Sequence, residues 1–255
     1  LGWVSLVTDM ASEMIYPLLP IFLTRVLGAT ALSLGLIEGV AEAASSVLKI
    51  AAGRLADKTG TPKRLVLVGY GLSGLVRPLI AVVGSWGQVL GLRFADRVGK
   101  GIRGAPRDAM LAHFSPPHLR GRAFGFHRAM DHAGAVAGPL IAAVFLFFYP
   151  GEYRTLFALS IIPGIVVILI LLRVPEARVN EPAEPREPLE PRKPLNLSNS
   201  FWKAVLVILV FSLGNASDAF LLLRITDLGV APFWIPLLWS ALHVVKVVSS
   251  LAGGE

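Results

Sequence analysis

An all-α membrane protein is the fold class this sequence predicts, on three observations. Apolar stretches of membrane-spanning length recur along most of its 255 residues, only 16% of those residues are charged, and mean hydropathy is +0.66. A soluble domain carries about 25% charged residues, and about 20 apolar residues in a helix cross a hydrocarbon core of about 30 Å. With no cysteine in the chain, disulfides and thiolate metal sites are excluded. The apolar runs place eight membrane helices, at 1–24, 31–56, 64–83, 86–106, 120–149, 154–173, 201–224 and 232–253.

The first span is not a signal peptide, because Asp9 and Glu13 interrupt the apolar region such a leader needs. Those carboxylates stand at i and i+4 and mark one helical face, which Tyr16 and Pro20 extend. In the second span Glu38 and Glu42 mark a face in the same way, extended by Ser45 and Lys49. The third carries Arg77-Pro78, and the eighth His243 and Lys246, as further candidates for a cavity wall. The fourth is the most charged: Arg93, Arg97 and Lys100 recur at i, i+4 and i+7 beside Asp96, so one face is ionic and the rest is Leu, Val, Ala and Gly. In the fifth, His127, Arg128 and His132 surround Asp131; two histidines at i and i+5 do not share a face, so no metal site is expected. Between the sixth and seventh spans, residues 174–199 form a linker. Pro182, Pro185, Pro188, Pro191 and Pro194 recur there at every third residue, the period of polyproline II, so an extended polar spacer is expected.

Orientation follows from the connections. Residues 54–64 sum to +3 and residues 97–122 to +5, while the alternate loops hold Arg25 alone, nothing in 84–88, and a cancelling Glu152 and Arg154. The positive-inside rule makes the two basic loops cytoplasmic. Topology thus accounts for the net charge of +7, and nucleic-acid binding is not expected. No phosphate-binding loop of the G-x-x-x-x-G-K-[ST] kind is present, so the chain itself gives no support for ATP as an energy source.

Two short echoes cross the linker. Ala11-Ser12-Glu13-Met14 is repeated as Ala216-Ser217-Asp218-Ala219, and Ala52-Gly53-Arg54 as Ala252-Gly253-Gly254, at offsets of 205 and 200. They point to a duplicated unit, a common plan for transporters.

The connection from Gly53 through Leu55, Ala56, Asp57, Lys58 and Gly60 to Lys63 and Arg64 resembles the G-x-L-A-D-[RK]-x-G-[RK]-[RK] signature of the major facilitator superfamily; Thr61 and Pro62 depart from its basic run. Arg93 is similar to the arginine this superfamily carries in its fourth helix, and Gly134-x-x-x-Gly138-Pro139 resembles a helix-five motif of its proton-coupled exporters. The run Asp96-Arg97-x-Gly99-Lys100-Gly101-x-Arg103-x-x-Pro106-Arg107-Asp108 is similar to a bacterial and archaeal branch. The resemblance implies twelve helices in two six-helix halves, around a substrate cavity that opens to each side in turn. On that plan the chain is expected to be a fragment: a first half at 1–173, the linker at 174–199, and the first two helices of a second half at 200–255. The motif containing Asp57, Lys63 and Arg64 is then expected to act as a cytoplasmic latch.

The chemistry can also be argued from helical rise. At 1.5 Å per residue, Glu13, Glu42, Arg97 and Asp131 each lie roughly 15–16 Å from a helix end, which is the middle of a core of about 30 Å. Ionisable groups at that depth are costly and mark ion or substrate paths. Glu13, Glu42 and Asp131 are expected to include a proton-coupling carboxylate, with Arg93 and Arg97 as counter-ions, and Asp9, Glu38 and Asp96 beside them. The favoured function is a proton-coupled exporter of a small molecule, monomeric, embedded in the bilayer of a bacterial or archaeal inner membrane and without a cofactor. The alternatives are an uptake carrier for an organic anion, or a receptor, scaffold or membrane-embedded enzyme.

Overall fold

The architecture, taken from a computed structural model, describes residues 1–59, 62–176, 198–214 and 217–252, and among these it contains helices and turns and no strand. Helix α1 (Gly2–Glu13) is followed by α2 (Ala31–Thr59), α3 (Pro62–Leu79), α4 (Trp86–His113), α5 (Arg120–Phe148), α6 (Tyr153–Leu159) and α7 (Ile161–Arg173). Beyond the linker come α8 (Asn199–Gly214), α9 (Asp218–Asp227) and α10 (Trp234–Ala252). Among the described residues six helical stretches are long and apolar enough to cross a membrane; α4 is long enough, but its charges set it apart from those six.

Four boundaries differ from the predicted spans. The first span is one helix only to Glu13; a 3₁₀ turn (Tyr16–Leu18), a short turn (Leu19–Ile21) and a π-helical turn (Phe22–Val26) complete it. Pro17 and Pro20 are the cause, since each removes a backbone donor from the regular ladder. The fourth span does not end at 106 but continues through Pro106 to His113, so much of the basic loop is helical. The sixth is interrupted at Ser160, whose hydroxyl donates to the Phe157 carbonyl at 2.7 Å. The seventh divides into α8 and α9, with Ser217 capping α9 by accepting from the Ala219 N–H. The polyproline expectation falls on residues 177–197, outside the described ones.

Apolar burial gives little drive between helices in lipid, so close backbone approach at small residues matters more. Helices α1 and α5 meet this way: a Cβ at Gly134 would overlap the Leu6 carbonyl oxygen, and one at Gly138 the Met10 carbonyl oxygen. Helices α3 and α4 meet at Gly69 and Gly99, where a Cβ on either would come within 2.6 Å of the other's carbonyl oxygen. Gly101 brings α4 close to α2, where a Cβ would come within 2.7 Å of Leu48 Cβ and 3.1 Å of the Ser45 carbonyl oxygen. Pro139 sits within α5 and is buried against this seam. The export-motif glycines of α5 thus have a packing role that explains their spacing.

The starts of α1 and α3 and the ends of α4 and α7 lie together at one end, where Val4, Val66, Met110 and Leu171 pack in one cluster. Lys63 belongs to this end: its backbone N–H donates to Glu176 Oε1 at 3.2 Å and its ammonium to the Leu172 carbonyl at 3.4 Å. Gly53 packs on Ala105 of α4, Arg64 is exposed, and Gly60 and the side chain of Asp57 lie outside the described residues. The opposite end is an apolar plug around Leu18, Leu19 and Phe22, joined by Ala219, Leu222 and Ile235 from beyond the linker. Arg154 braces this end by donating to the carbonyls of Ala81 and Val83 at 2.7 and 2.8 Å. Arg25 donates to the Thr226 carbonyl at 3.3 Å and ties α9 to the turn after α1.

Candidate functional site

Two cavities run side by side through the charged centre and share Asp9, Lys100 and Arg103 in their walls. The larger, of about 260 Å³, lies toward the basic end. It is lined by Asp9 of α1, Glu42, Ser45 and Lys49 of α2, Lys100, Arg107 and Asp108 of α4, and Arg128 and Asp131 of α5. The smaller, of about 210 Å³, lies between α1 and α4 and is lined by Asp9, Ser12, Glu13, Tyr16, Arg93, Asp96, Arg97 and Lys100, together with Arg77 and Asp218. Four helices therefore bring Asp9, Glu42, Lys100 and Asp131 to one cavity, while Glu13 and Arg97 meet in the next. Glu38, on the same stripe of α2 as Glu42, lines neither.

The expected counter-ion scheme needs correction. Arg93 and Arg97 do not pair with Glu13, Glu42 or Asp131. Arg93 donates to Glu38 Oε1 at 2.7 Å and stands 4.0 Å from Asp96. Asp96 takes its shorter bond, 2.9 Å, from Arg77 of α3, which also donates to the Thr8 carbonyl of α1 at 3.1 Å. Arg77, Arg93 and Asp96 are only 7%, 7% and 4% exposed, so the four charges form a buried lattice that joins α2, α3 and α4 and reaches α1. Spacing along one helix gives the face a side chain occupies; it does not give the rotation of the neighbouring helix that brings the partner.

The remaining charges are held apart. Among the described residues, Asp9, Glu13, Glu42, Arg97 and Lys100 form no ion pair within 4.0 Å. Glu13 accepts one hydrogen bond, at 2.7 Å from Trp239 Nε1 of α10. Asp131 stands 3.8 Å from His127 and 3.6 Å from Arg128, and His127 also meets Ser5 at 3.1 Å. Arg103 stacks over Tyr70 at 4.4 Å and donates to Ser73 at 2.7 Å. Arg107 pairs with its neighbour Asp108 at 2.9 Å.

Trp239 is the functional residue that spacing had not singled out. It sits one turn before His243 and two before Lys246, on the face those two had marked, so the stripe was there to extend. Its ring lies 5.4 Å from Tyr16 and 5.1 Å from His243, which in turn lies 5.6 Å from His132. The contact spans the linker: α10 reaches back to α1 and α5, and Ser240 donates to the Val136 carbonyl at 3.0 Å.

Helices packed backbone to backbone around a charged chamber, plugged at the end opposite the basic turns, form a multi-pass membrane fold. The sequence profile of the Major Facilitator Superfamily matches residues 1–255, and the chain belongs to that family. An MFS-type transporter of Methanocaldococcus jannaschii is 33% identical over 225 residues, covering 88% of this chain and 55% of the relative. A protein of Cupriavidus pinatubonensis named a probable 4-methylmuconolactone transporter is 30% identical over 186 residues, covering 71% of this chain and 42% of the relative. The chain thus spans about half the length of the curated relatives it matches. Among solved structures, a D-xylose-proton symporter superposes with a TM-score of 0.59 over 97% of this chain and 65% of its own, at 15% identity, which places the fold.

Proposed function

We propose that this chain is the first six-helix half, the linker and the first two helices of the second half of a secondary transporter that moves a small molecule by alternating access, driven by protons. The observation that carries the reading is the unpaired set: Asp9 and Glu13 face Arg97 and Lys100 across one cavity without contact. A carboxylate in that position answers to two opposing influences, burial favouring its protonated form and nearby cations its ionised form, so small movements of helices switch its proton. The plug around Leu18 and Phe22, against Ala219 and Leu222, supports a state closed on the outer side, with the larger cavity toward the basic, cytoplasmic end. A bacterial or archaeal inner membrane is the setting the relatives support.

Export is the direction the resemblance of the α5 motif favours, and uptake differs from it only in the sign of the flux. The assay uses the intact protein in inside-out vesicles under an imposed proton gradient. A thermal-shift screen of metabolites and drugs, begun with 4-methylmuconolactone, supplies the substrate. Accumulation inside the vesicles as protons leave them is export, and its collapse with a protonophore marks the coupling. The charge-neutral Asp9→Asn and Glu13→Gln proteins are expected to lose uphill movement at least tenfold while still exchanging substrate downhill. Full gradient-driven accumulation in both would remove the two carboxylates from the proton path.

A further inference from the structure

The cations along α4 divide into two kinds by their partners. Arg93 is held by Glu38, and Arg103 by the Tyr70 ring and Ser73. Arg97 and Lys100 have neither a hydrogen bond nor an ion pair among the described residues, and Arg97 Nε is buried with no acceptor. Both side chains line the cavity between α1 and α4. A buried guanidinium offers a planar fork of donors, and the partner that satisfies two of them at once is a carboxylate or a like anion. The protein's own carboxylates in this cavity are held back from it.

The rest of the cavity describes the body of the occupant. Among the described residues Tyr16 is the one aromatic side chain in its wall, with the Arg93 guanidinium over its ring at 5.4 Å and the Trp239 ring at 5.4 Å; the rest of the wall is polar or charged, which suits a polar, charged occupant. At about 210 Å³ the space is below the range of about 300–1,000 Å³ usual for drug-sized ligands. A compact metabolite fits better than a large drug.

We propose that Arg97 and Lys100 bind the carboxylate of a small organic anion, and that the anion enters when Asp9 and Glu13 carry protons. The second half of this statement rests on the proton-carrying reading above; the first does not. Arg77 of α3 and Asp96 of α4 also face the cavity, but they neutralise one another. Asp218 faces it from the exposed start of α9, Asp131 of α5 faces Asp9 from the adjoining cavity, and Glu38 of α2 is spent on Arg93. What repels an incoming anion is therefore chiefly ionised Asp9 and Glu13. Protons on these two remove the repulsion, so proton and anion favour each other's binding by the same factor. Loaded together they would cross the membrane in the same direction, so this occupant belongs to the uptake alternative and not to export in exchange for protons.

The test measures ligand binding to the intact detergent-purified protein by thermal shift and tryptophan fluorescence. The probes are acetate, benzoate, succinate and naphthoate, each beside its neutral amide, at pH 6 and pH 8. At least one carboxylate is expected to bind tenfold or more tightly than its amide, and tenfold more tightly at pH 6 than at pH 8. Arg97→Gln and Lys100→Gln are each expected to weaken that binding at least tenfold with the ligand-free melting temperature unchanged, and Arg97→Lys to restore part of it. In Asp9→Asn the difference between the two pH values should shrink. Binding of no carboxylate in the panel, equal binding of acid and amide, or indifference to both α4 substitutions would overturn the site. Carboxylate binding that needs Arg97 and Lys100 but is the same at both pH values keeps the site and removes the proton linkage. The vesicle flux of Asp9→Asn and Glu13→Gln then decides the coupling independently.

Discussion

Two sets of charges lie a few residues apart on the same helices and are used in opposite ways. In the lattice of Arg77, Asp96, Arg93 and Glu38, every charge touches an opposite one, so Arg77, Arg93 and Asp96 are already partnered although they border the smaller cavity. In the set of Asp9, Glu13, Arg97 and Lys100, charges of both signs share a cavity and stay out of contact. The first arrangement suits a joint between helices, because contact pairing offsets the large desolvation penalty of burial. The second suits exchange, because its partners are water, a proton or a solute. Residue type does not separate the two; the facing neighbour does.

The largest expected effect breaks the lattice. Asp96→Ala leaves Arg77 and Arg93 buried beside each other with no anion shared between them, and losing one partner of a buried pair costs about 3–5 kcal/mol. Asp9→Asn, which removes a charge that has no contact partner, should change stability by less than about 1 kcal/mol. Denaturant or thermal unfolding of the two variants in the same detergent measures the contrast directly. Equal losses would mean that Asp9 is a structural charge like Asp96.

A second, smaller effect sharpens the contrast between packing and chemistry on α5. Gly134→Leu and Gly138→Leu push side-chain atoms into the α1 backbone, and overpacking of this kind costs about 1–3 kcal/mol. Gly39→Ala, where a Cβ meets no other atom within 4 Å, should be neutral or stabilise by up to about 1 kcal/mol, since glycine is a poor helix former. The yield of folded protein and its melting temperature report both. If Gly134→Leu were to fold as well as the parent yet lose transport, the motif would be more than a seam.

How much of this was legible in the sequence depended on what each step required. The all-helical class and the ionic face of α4 followed from hydropathy and from the spacing of Arg93, Arg97 and Lys100, both of which are local. Depth arithmetic put Glu13, Glu42, Arg97 and Asp131 at one level, because helices that cross the same bilayer share a ruler, but Glu42 and Asp131 line one cavity, with Asp9, and Glu13 and Arg97 the next. The partners did not follow. Arg93 finding Glu38, and Arg77 finding Asp96, depend on how α2 and α3 are rotated about their own axes, which backbone approach at Gly69, Gly99 and Gly101 decides. The continuation of α4 through Pro106 was hidden for a different reason: the proline removes one donor, and the tight packing upstream holds the helix regardless. Pro17 and Pro20, three residues apart, do break the first span although both are buried.

The smallest effect concerns the one hydrogen bond that reaches from beyond the linker into the unpaired set. Trp239→Phe keeps an aromatic ring beside Tyr16 but removes the N–H that Glu13 accepts at 2.7 Å. A single hydrogen bond is worth about 1 kcal/mol net, so the stability change is small and a kinetic readout is more telling. If the bond helps to keep α10 against α1, its loss should let the outer plug open more often, by roughly fivefold for about 1 kcal/mol. Because the sequence contains no cysteine, a single one introduced at Ala219, which is buried in the plug, reports that opening through its rate of maleimide labelling in intact cells. The Trp239→Phe protein should label about fivefold faster than its parent. An unchanged rate would make Trp239 a passive packing partner of Tyr16 and leave the plug's own apolar contacts to hold the outer side shut.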